Sequence, residues 1–290
     1  MAARDTSVSF ASGETTGESI VRTVRSHQDG AIVVTDVTPF HPIDHTWPDQ
    51  PGDVGSIASG DESADVVEAV MVAESADGAL FVGAEIPVKR GVDGWAWQVG
   101  HRLSAPDAPD WLRPGVEVSL SADAGLRAAL SRGHTACHLA SLALDLAVAD
   151  LWRKDPGTDA LGNPDFEGRA NQTSLIHEDG AVDEYRLGKS LRRAGFDTEE
   201  FAASLSEREQ RINAQLAAWV ATGAPSRIVT DGPTIVDMRR WECELPEGAA
   251  SIPCGGTHAQ SLSEFASIAV SLDLSDPQLL VMTTSATPAV

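Results

Sequence analysis

The sequence predicts an α+β fold in two parts, a β-barrel-like N-terminal domain over residues 1–122 and an α+β domain over residues 123–290. Three observations carry the prediction. Residues 31–122 break into short apolar runs separated by Gly and Asp-Gly turns, which is the pattern of antiparallel strands. From Ala124 the period changes: Leu126, Ala129, Leu130, Leu139, Leu142, Ala143, Leu146 and Ala149 recur at helical spacing. Beyond that stretch, strand-like and helical segments alternate. A chain of 290 residues is long enough for one or two domains, each with its own core.

Taken in order, Ala31-Ile-Val-Val-Thr-Asp36 reads as a strand and residues 38–55, dense in Pro, Asp, Gly and His, as a loop. Residues 66–73, 79–87, 94–103 and 116–122 read as further strands, with turns at Asp77-Gly78 and Asp93-Gly94. Strands this short and evenly spaced suit a small antiparallel unit, of which a barrel is one form. The helical stretch covers residues 124–152. Residues 172–177 and 181–187 read as two strands flanking Asp179-Gly180. A helix over residues 198–222 is stopped by Gly223-Ala224-Pro225. Short strands and loops fill the remainder.

The charge balance limits the partners. Lys and Arg number 21 against 43 Asp and Glu, a formal net charge of -22. Such a chain lacks the broad basic face that wraps DNA or a long RNA. A small local contact with RNA fits it better. No apolar run reaches the ~18–20 residues that span a bilayer. The first residues lack the basic stretch and apolar core of a secretion signal, so a cytoplasmic protein without membrane attachment is expected. Three cysteines, Cys137, Cys243 and Cys254, then read as thiols or metal ligands rather than a disulfide frame. No oligomeric state follows from the sequence.

Two pairs of residues carry chemistry. His134-Thr-Ala-Cys-His138 lies inside the helical stretch, and a spacing of four puts both imidazoles on one face. Cys254-Gly-Gly-Thr-His258 repeats the spacing around two glycines, which permit a tight turn. Three imidazoles and one thiolate suit zinc better than hard cations, which prefer oxygen. Each half also has a plain reading: HxxxH pairs arise on many helices by chance, and a lone cysteine is commonly a buried thiol.

The residues around these pairs resemble a known family. Gly133-His134-Thr135-Ala136-Cys137-His138-Leu139 and Pro253-Cys254-Gly255-Gly256-Thr257-His258 are similar to the paired motifs of alanyl-tRNA editing proteins, shared with the editing domains of alanyl- and threonyl-tRNA synthetases. Asp36-Val-Thr38-Pro39-Phe40-His41-Pro42 with Gln50-Pro51-Gly52-Asp53-Val54-Gly55 resembles the family's first characteristic loop. Asp123-Ala-Gly-Leu-Arg127 resembles its Asp-Trp-x-x-Arg segment, and the helix over residues 207–221, with Ile212-Asn213, resembles the one between its metal pairs. The likeness spans roughly residues 30–270. It implies a β-barrel-like domain followed by a tRNA synthetase editing domain, and zinc held by His134, His138, Cys254 and His258. It also implies hydrolysis, in trans, of the ester joining a wrong amino acid to the acceptor end of tRNA. The sequence departs from the family where His41 replaces a usual tyrosine and Asp44-His-Thr-Trp-Pro-Asp49 replaces a run of three glycines.

On this resemblance the altered loop borders the amino-acid pocket. Thr38, His41, His45, Trp47 and Gln50 are the candidate substrate-binding residues, with a strand-end bond, exposed loop histidines or a loop anchor as plainer roles. Family members commonly remove serine or glycine from tRNA for alanine, and a specialised branch acts on fluorothreonyl-tRNA; both substrates stand as expectations. A structural zinc protein and a metal-dependent hydrolase of a small ester or amide are the alternatives. Arg186, Lys189, Arg192 and Arg193 are the densest cations, suited to tRNA phosphates or to a solvated helix face. His27, His101 and His177 carry no motif.

Overall fold

A strand such as Ile32-Val-Val-Thr35 has almost no polar face to show solvent, so it needs cover on both sides. The computed structural model, which describes residues 4–289, supplies that cover inside the first of two compact units. This unit runs through Arg127 and takes in Val229–Arg239 and Gly255–Thr257. Its strands are β1 (Ser7–Val8), β2 (Thr16–Arg25), β3 (Ile32–Thr35), β4 (Val37–Thr38), β5 (Gly55–Ser59), β6 (Glu62–Ser75), β7 (Leu80–Val82), β8 (Trp95–Leu103) and β9 (Glu117–Ala122). Val33 packs with Phe10, Phe40, Trp97 and Leu120, whereas Ile32 and Val34 pack with Val70, Val72 and Val82.

Six strands pair in the order β5-β9-β2-β3-β8-β6, all antiparallel, and β6 pairs back to β5, so the sheet closes into a ring of strands. β6 makes this possible because it is 14 residues long. Its first half pairs with β5 and its second half with β8 and β7, and the register shifts between Val66 and Glu68 where the partners change.

The turn pattern anticipates β3, β6, β8 and β9 but not β2 or β5. β2 is half-exposed, with Ile20 facing out beside buried Val21, so its alternation is weak. The strand expected over residues 79–87 shortens to β7. Gly83 takes a φ of 54° and begins a 3-10 turn there.

The second unit comprises Ala128–Ile228, Arg240–Cys254 and the chain from His258. Helix α1 (Ala124–Ala147) leads into it. There follow α2 (Glu167–Ala170), β10 (Asn171–His177), β11 (Gly180–Arg186), α3 (Lys189–Ala194), α4 (Thr198–Ala203), α5 (Leu205–Val220), β12 (Ser226–Thr230), β13 (Arg239–Leu245), β14 (Gly248–Pro253), β15 (Phe265–Asp276) and β16 (Leu279–Pro288). One sheet has the order β10-β11-β16-β15 and another β12-β13-β14. Helix α5 packs on β15, where Asn213 donates to Val270 O and accepts from Val270 N. The core gathers Leu139, Phe166, Tyr185, Phe201, Trp219 and Trp241.

The two long helices expected from periodicity are shorter than the pattern. The first ends at Ala147 in a 3-10 turn. The second splits at Ser204, whose hydroxyl donates to the Glu200 carbonyl and competes with the helical ladder. Among the described residues no helix is long and apolar enough to cross a membrane.

Gly133, inside α1, has a packing reason. A Cβ there would press on the carbonyl oxygen of His177 and lie 2.7 Å from that of Gly180, so the β10–β11 hairpin lies directly on the helix. The hairpin turn is tied down by Asp179 N donating to Ala129 O at 3.0 Å and by Arg132 donating to Asp179 at 2.6 Å. Alanine is the better helix former by about 1 kcal/mol, yet Gly133→Ala is expected to destabilise the protein by about 1–3 kcal/mol through overpacking against backbone. Urea denaturation checks this; an unchanged or higher midpoint would contradict the packing account.

Candidate metal centre

Helix geometry brings the first pair together. His134 and His138 lie one turn apart on α1, with ring centroids 4.9 Å apart and planes inclined by 26°. The second pair arrives on the chain leaving β14. Cys254 Sγ stands 3.4 Å from His134 Nε2 and 3.2 Å from His258 Nε2. The His258 ring lies 4.4 Å from that of His134 and 5.0 Å from that of His138. Ligand atoms from all four side chains lie within 4.8 Å of one another, the one such group among the described residues. All four residues belong to the second unit. Gly255 does not take a positive φ, so the turn is made in ordinary backbone space and not by glycine's special freedom.

The electrostatics keep these side chains ready to bind a cation. Burial lowers the His134 pKa to about 4. Burial, then the neighbouring His134, holds His138 well below the usual imidazole range. A neutral imidazole keeps the lone pair that a metal needs. His138 Nε2 is buried and has no hydrogen-bond partner among the described residues, which a bound ion would remedy. The group can therefore hold a metal ion.

A second layer orients the ligands. Trp241, fully buried on β13, lies 5.3 Å from His138 at 18° and 5.6 Å from His258 at 34°. Thr135 Oγ1 is 3.1 Å from His258 Nδ1 and accepts a hydrogen bond from Ala259 N at 3.0 Å. Beside His138 opens a cavity of about 450 Å³, lined also by Asp145, Asp159, Asp165, Glu167 and Pro253. Burial pushes the Asp145 carboxyl up to about 9; its Oδ1 accepts from Phe166 N and Glu167 N and so anchors α2. Burial, then Asp183, pushes Glu167 up to about 8. Sequence reasoning missed these carboxyls and Trp241. Asp145 alone had a signal, since His134, His138, Ser141 and Asp145 recur at helical spacing on α1.

The substrate-binding candidates all lie in the first unit, and each has local partners there. Thr38 is fully buried, with its oxygen 2.8 Å from His101 Nε2 and accepting from Phe40 N. His101 Nδ1 is 2.9 Å from Val33 O, and burial lowers the His101 pKa to about 4. The neutral ring thus donates from Nδ1 and receives the Thr38 proton at Nε2. His41 is buried edge-on against Phe10. The His45 side chain is 3% exposed and rests on Trp97, so it is no exposed loop histidine. Gln50 is fully buried and clasps Thr257, donating to its hydroxyl at 2.9 Å and accepting from its amide at 3.0 Å. Trp47 is 47% exposed.

Of the remaining residues singled out, Arg186, Lys189, Arg192 and Arg193 are exposed on the second unit. Cys137 and Cys243 are buried apart from the metal group. Cys137 Sγ donates to Asp183 at 3.4 Å, and burial raises the Cys243 thiol to about 11. Compared with known proteins, the chain matches no family model and no curated sequence.

Proposed function

We propose that this chain is a zinc-dependent hydrolase that removes a wrongly attached small amino acid from the acceptor end of tRNA, acting in trans. The observation that carries the reading is the convergence of His134, His138, Cys254 and His258, two motif pairs whose members lie 120 residues apart, on one point. Three nitrogens and one thiolate suit zinc. With bond lengths of about 2.3 Å to sulfur and 2.0–2.1 Å to nitrogen, tetrahedral ligand atoms lie about 3.5 Å apart. The 3.2 and 3.4 Å separations at Cys254 resemble such edges. The motifs around the pairs resemble those of alanyl-tRNA editing proteins, and the ring of strands is compatible with that family's barrel-like first domain.

In this reading His134, His138, Cys254 and His258 hold the zinc ion, which when bound supplies Lewis acidity toward an ester carbonyl or a water. The chain's own residues do the rest. The cavity beside His138 has room for a small acyl group, and the carboxyl groups on its wall offer hydrogen-bond partners to an α-amino nitrogen. With a net charge of -22, contact with tRNA is confined to its end, and the exposed Arg186, Lys189, Arg192 and Arg193 are the cations at hand for nearby phosphates. The acyl group removed is serine or glycine on tRNA for alanine, or a threonine analogue such as fluorothreonine.

Four protein ligands are also the pattern of structural zinc sites, so a non-catalytic role is the second reading. A deacylation assay separates them. Zinc-loaded protein would meet seryl-, glycyl- and alanyl-tRNA for alanine, and threonyl- and fluorothreonyl-tRNA for threonine. The expected result is rapid loss of one mischarged species with its correctly charged competitor spared. No hydrolysis of any species at a full equivalent of zinc would leave the structural role or a small-molecule ester as the function.

A further inference from the structure

The stretch that carries Cys254 and His258 has no strand or helix to shape it. It runs from the end of β14 at Pro253 to the 3-10 turn that begins at Leu262. Two of its residues are glycines, which give the backbone many alternatives. Cys254 and His258 nevertheless arrive together beside His134 and His138. Gln50 meets this stretch at Thr257, the residue before His258. Its Nε2 donates to Thr257 Oγ1 at 2.9 Å, and its Oε1 accepts from Thr257 N at 3.0 Å. A backbone N–H can only donate, so it fixes which end of the Gln50 amide is the oxygen. Gln50 is fully buried and Thr257 is 3% exposed, and both belong to the first unit.

We propose that Gln50 is a positioning residue that, through Thr257, fixes the stretch bearing Cys254 and His258 in the shape the four-ligand cluster requires; the inference rests on the metal reading of that cluster. Two bonds from one amide restrain the Thr257 backbone and side chain together, which a single bond does not. On the far side of His258, Ala259 N donates to Thr135 Oγ1 at 3.0 Å. The backbone amides before and after this ligand are therefore both held by buried side chains. Gln50 is itself steadied from its own loop: its backbone N donates to Asp49 Oδ1 at 2.8 Å, and Asp53 N donates to His41 O at 2.9 Å. It is the fixed point, and residues 254–258 are what it holds. In this role the Gln50 amide acts on the ligand-bearing chain rather than on the substrate. Partners outside the ligand set commonly tune metal affinity in this way.

The test is zinc titration of the full chain against a chromophoric chelator, paired with the absorption spectrum of the cobalt(II)-loaded protein, which reports thiolate bonding and ligand geometry. Gln50→Met removes the amide at nearly constant shape. It is expected to bind zinc about 10-fold more weakly or worse, and to show an altered cobalt spectrum at saturation. Thr257→Val, which keeps the backbone bond but loses the hydroxyl, is expected to show a smaller loss in the same direction. Thr257→Ser, which keeps both bonds, should match the wild type. A merely structural role would lower the urea midpoint and leave the saturated cobalt spectrum as it is. Wild-type affinity and spectrum in folded Gln50→Met would overturn the proposal. If that variant does not fold, Thr257→Val equal to Thr257→Ser in both measurements would overturn it instead. Wild-type protein that takes up neither metal would overturn the metal reading together with this one, whereas uptake that the variants leave unchanged overturns the role of Gln50 alone.

Discussion

If the proposed zinc-hydrolase reading holds, Cys254→Ser protein is expected to lose tight zinc binding, and with it any hydrolysis of mischarged tRNA. The thiolate is the single sulfur in the group and the atom nearest to two of the imidazole nitrogens, at 3.4 Å from His134 and 3.2 Å from His258. A serine hydroxyl is a far poorer ligand, since it stays protonated where a thiol ionises on a metal. Losing a ligand should weaken zinc binding by more than the 10–100-fold typical of outer-layer changes, that is, by on the order of 100-fold or more. His134→Ala should behave alike. The informative control is Cys137→Ala. Cys137 lies inside the same His-Thr-Ala-Cys-His motif but bonds to Asp183, so its loss should leave metal content unchanged. Metal analysis after dialysis checks all three variants. Zinc retained by Cys254→Ser, or lost from Cys137→Ala, would show that the ligand set is wrong. Because a site formed only in the folded state links binding to folding, chelation should also lower the melting temperature of the wild-type protein, but not that of Cys254→Ser.

Asp53→Asn is expected to be among the most destabilising single changes in the first unit, by about 3–5 kcal/mol. Arg127 and Asp53 form an almost fully enclosed ion pair, with side chains 5% and 2% exposed. Arg127 Nε donates to Asp53 Oδ1 at 2.7 Å, its Nη2 donates to the other carboxylate oxygen, and Nη2 also reaches Pro39 O at 2.8 Å. Asp53 further accepts from the His41 amide. Burial pushes the Asp53 carboxyl up from its ordinary value, and the Arg127 guanidinium and His41 amide oppose that rise.

The pair thus fastens both ends of the loop that carries His41, His45, Trp47 and Gln50. The backbone bond from Asp53 N to His41 O, at 2.9 Å, closes it. Removing one charge leaves the other buried and uncompensated, which is why a single change costs far more than an exposed pair would. Arg127→Leu should cost a similar amount. The double variant Asp53→Asn, Arg127→Leu should recover part of the loss, giving a coupling energy well above experimental error. Urea denaturation of the four proteins checks the cycle; single variants within about 1 kcal/mol of the wild type would show that this pair does not hold the loop.

The sequence by itself determined the local features, because they depend on residues close together in the chain. The change of period near Ala124 marks α1, and a spacing of four on a helix must put His134 and His138 on one face. The second pair, Cys254 and His258, was likewise visible as a matching motif. The turns at Asp77-Gly78 and Asp93-Gly94 divided the strands of the first unit. Where periodicity was weak the reading failed: β2 alternates too faintly, and Ser204 breaks a helix whose apolar spacing runs on without interruption.

Only the tertiary structure decided which distant groups meet. That choice depends on faces brought together by folding and leaves no trace in local spacing. It set Cys254 beside His134, Trp241 against His138, Gln50 on Thr257 and Arg127 on Asp53. It also decided that His45 and His101 are buried and that the hydroxyl of Thr135 faces His258. A helix explains why two imidazoles are neighbours; it takes the burial of β13 and the chain after β14 against that helix to surround them with a thiol, a tryptophan and a hydroxyl.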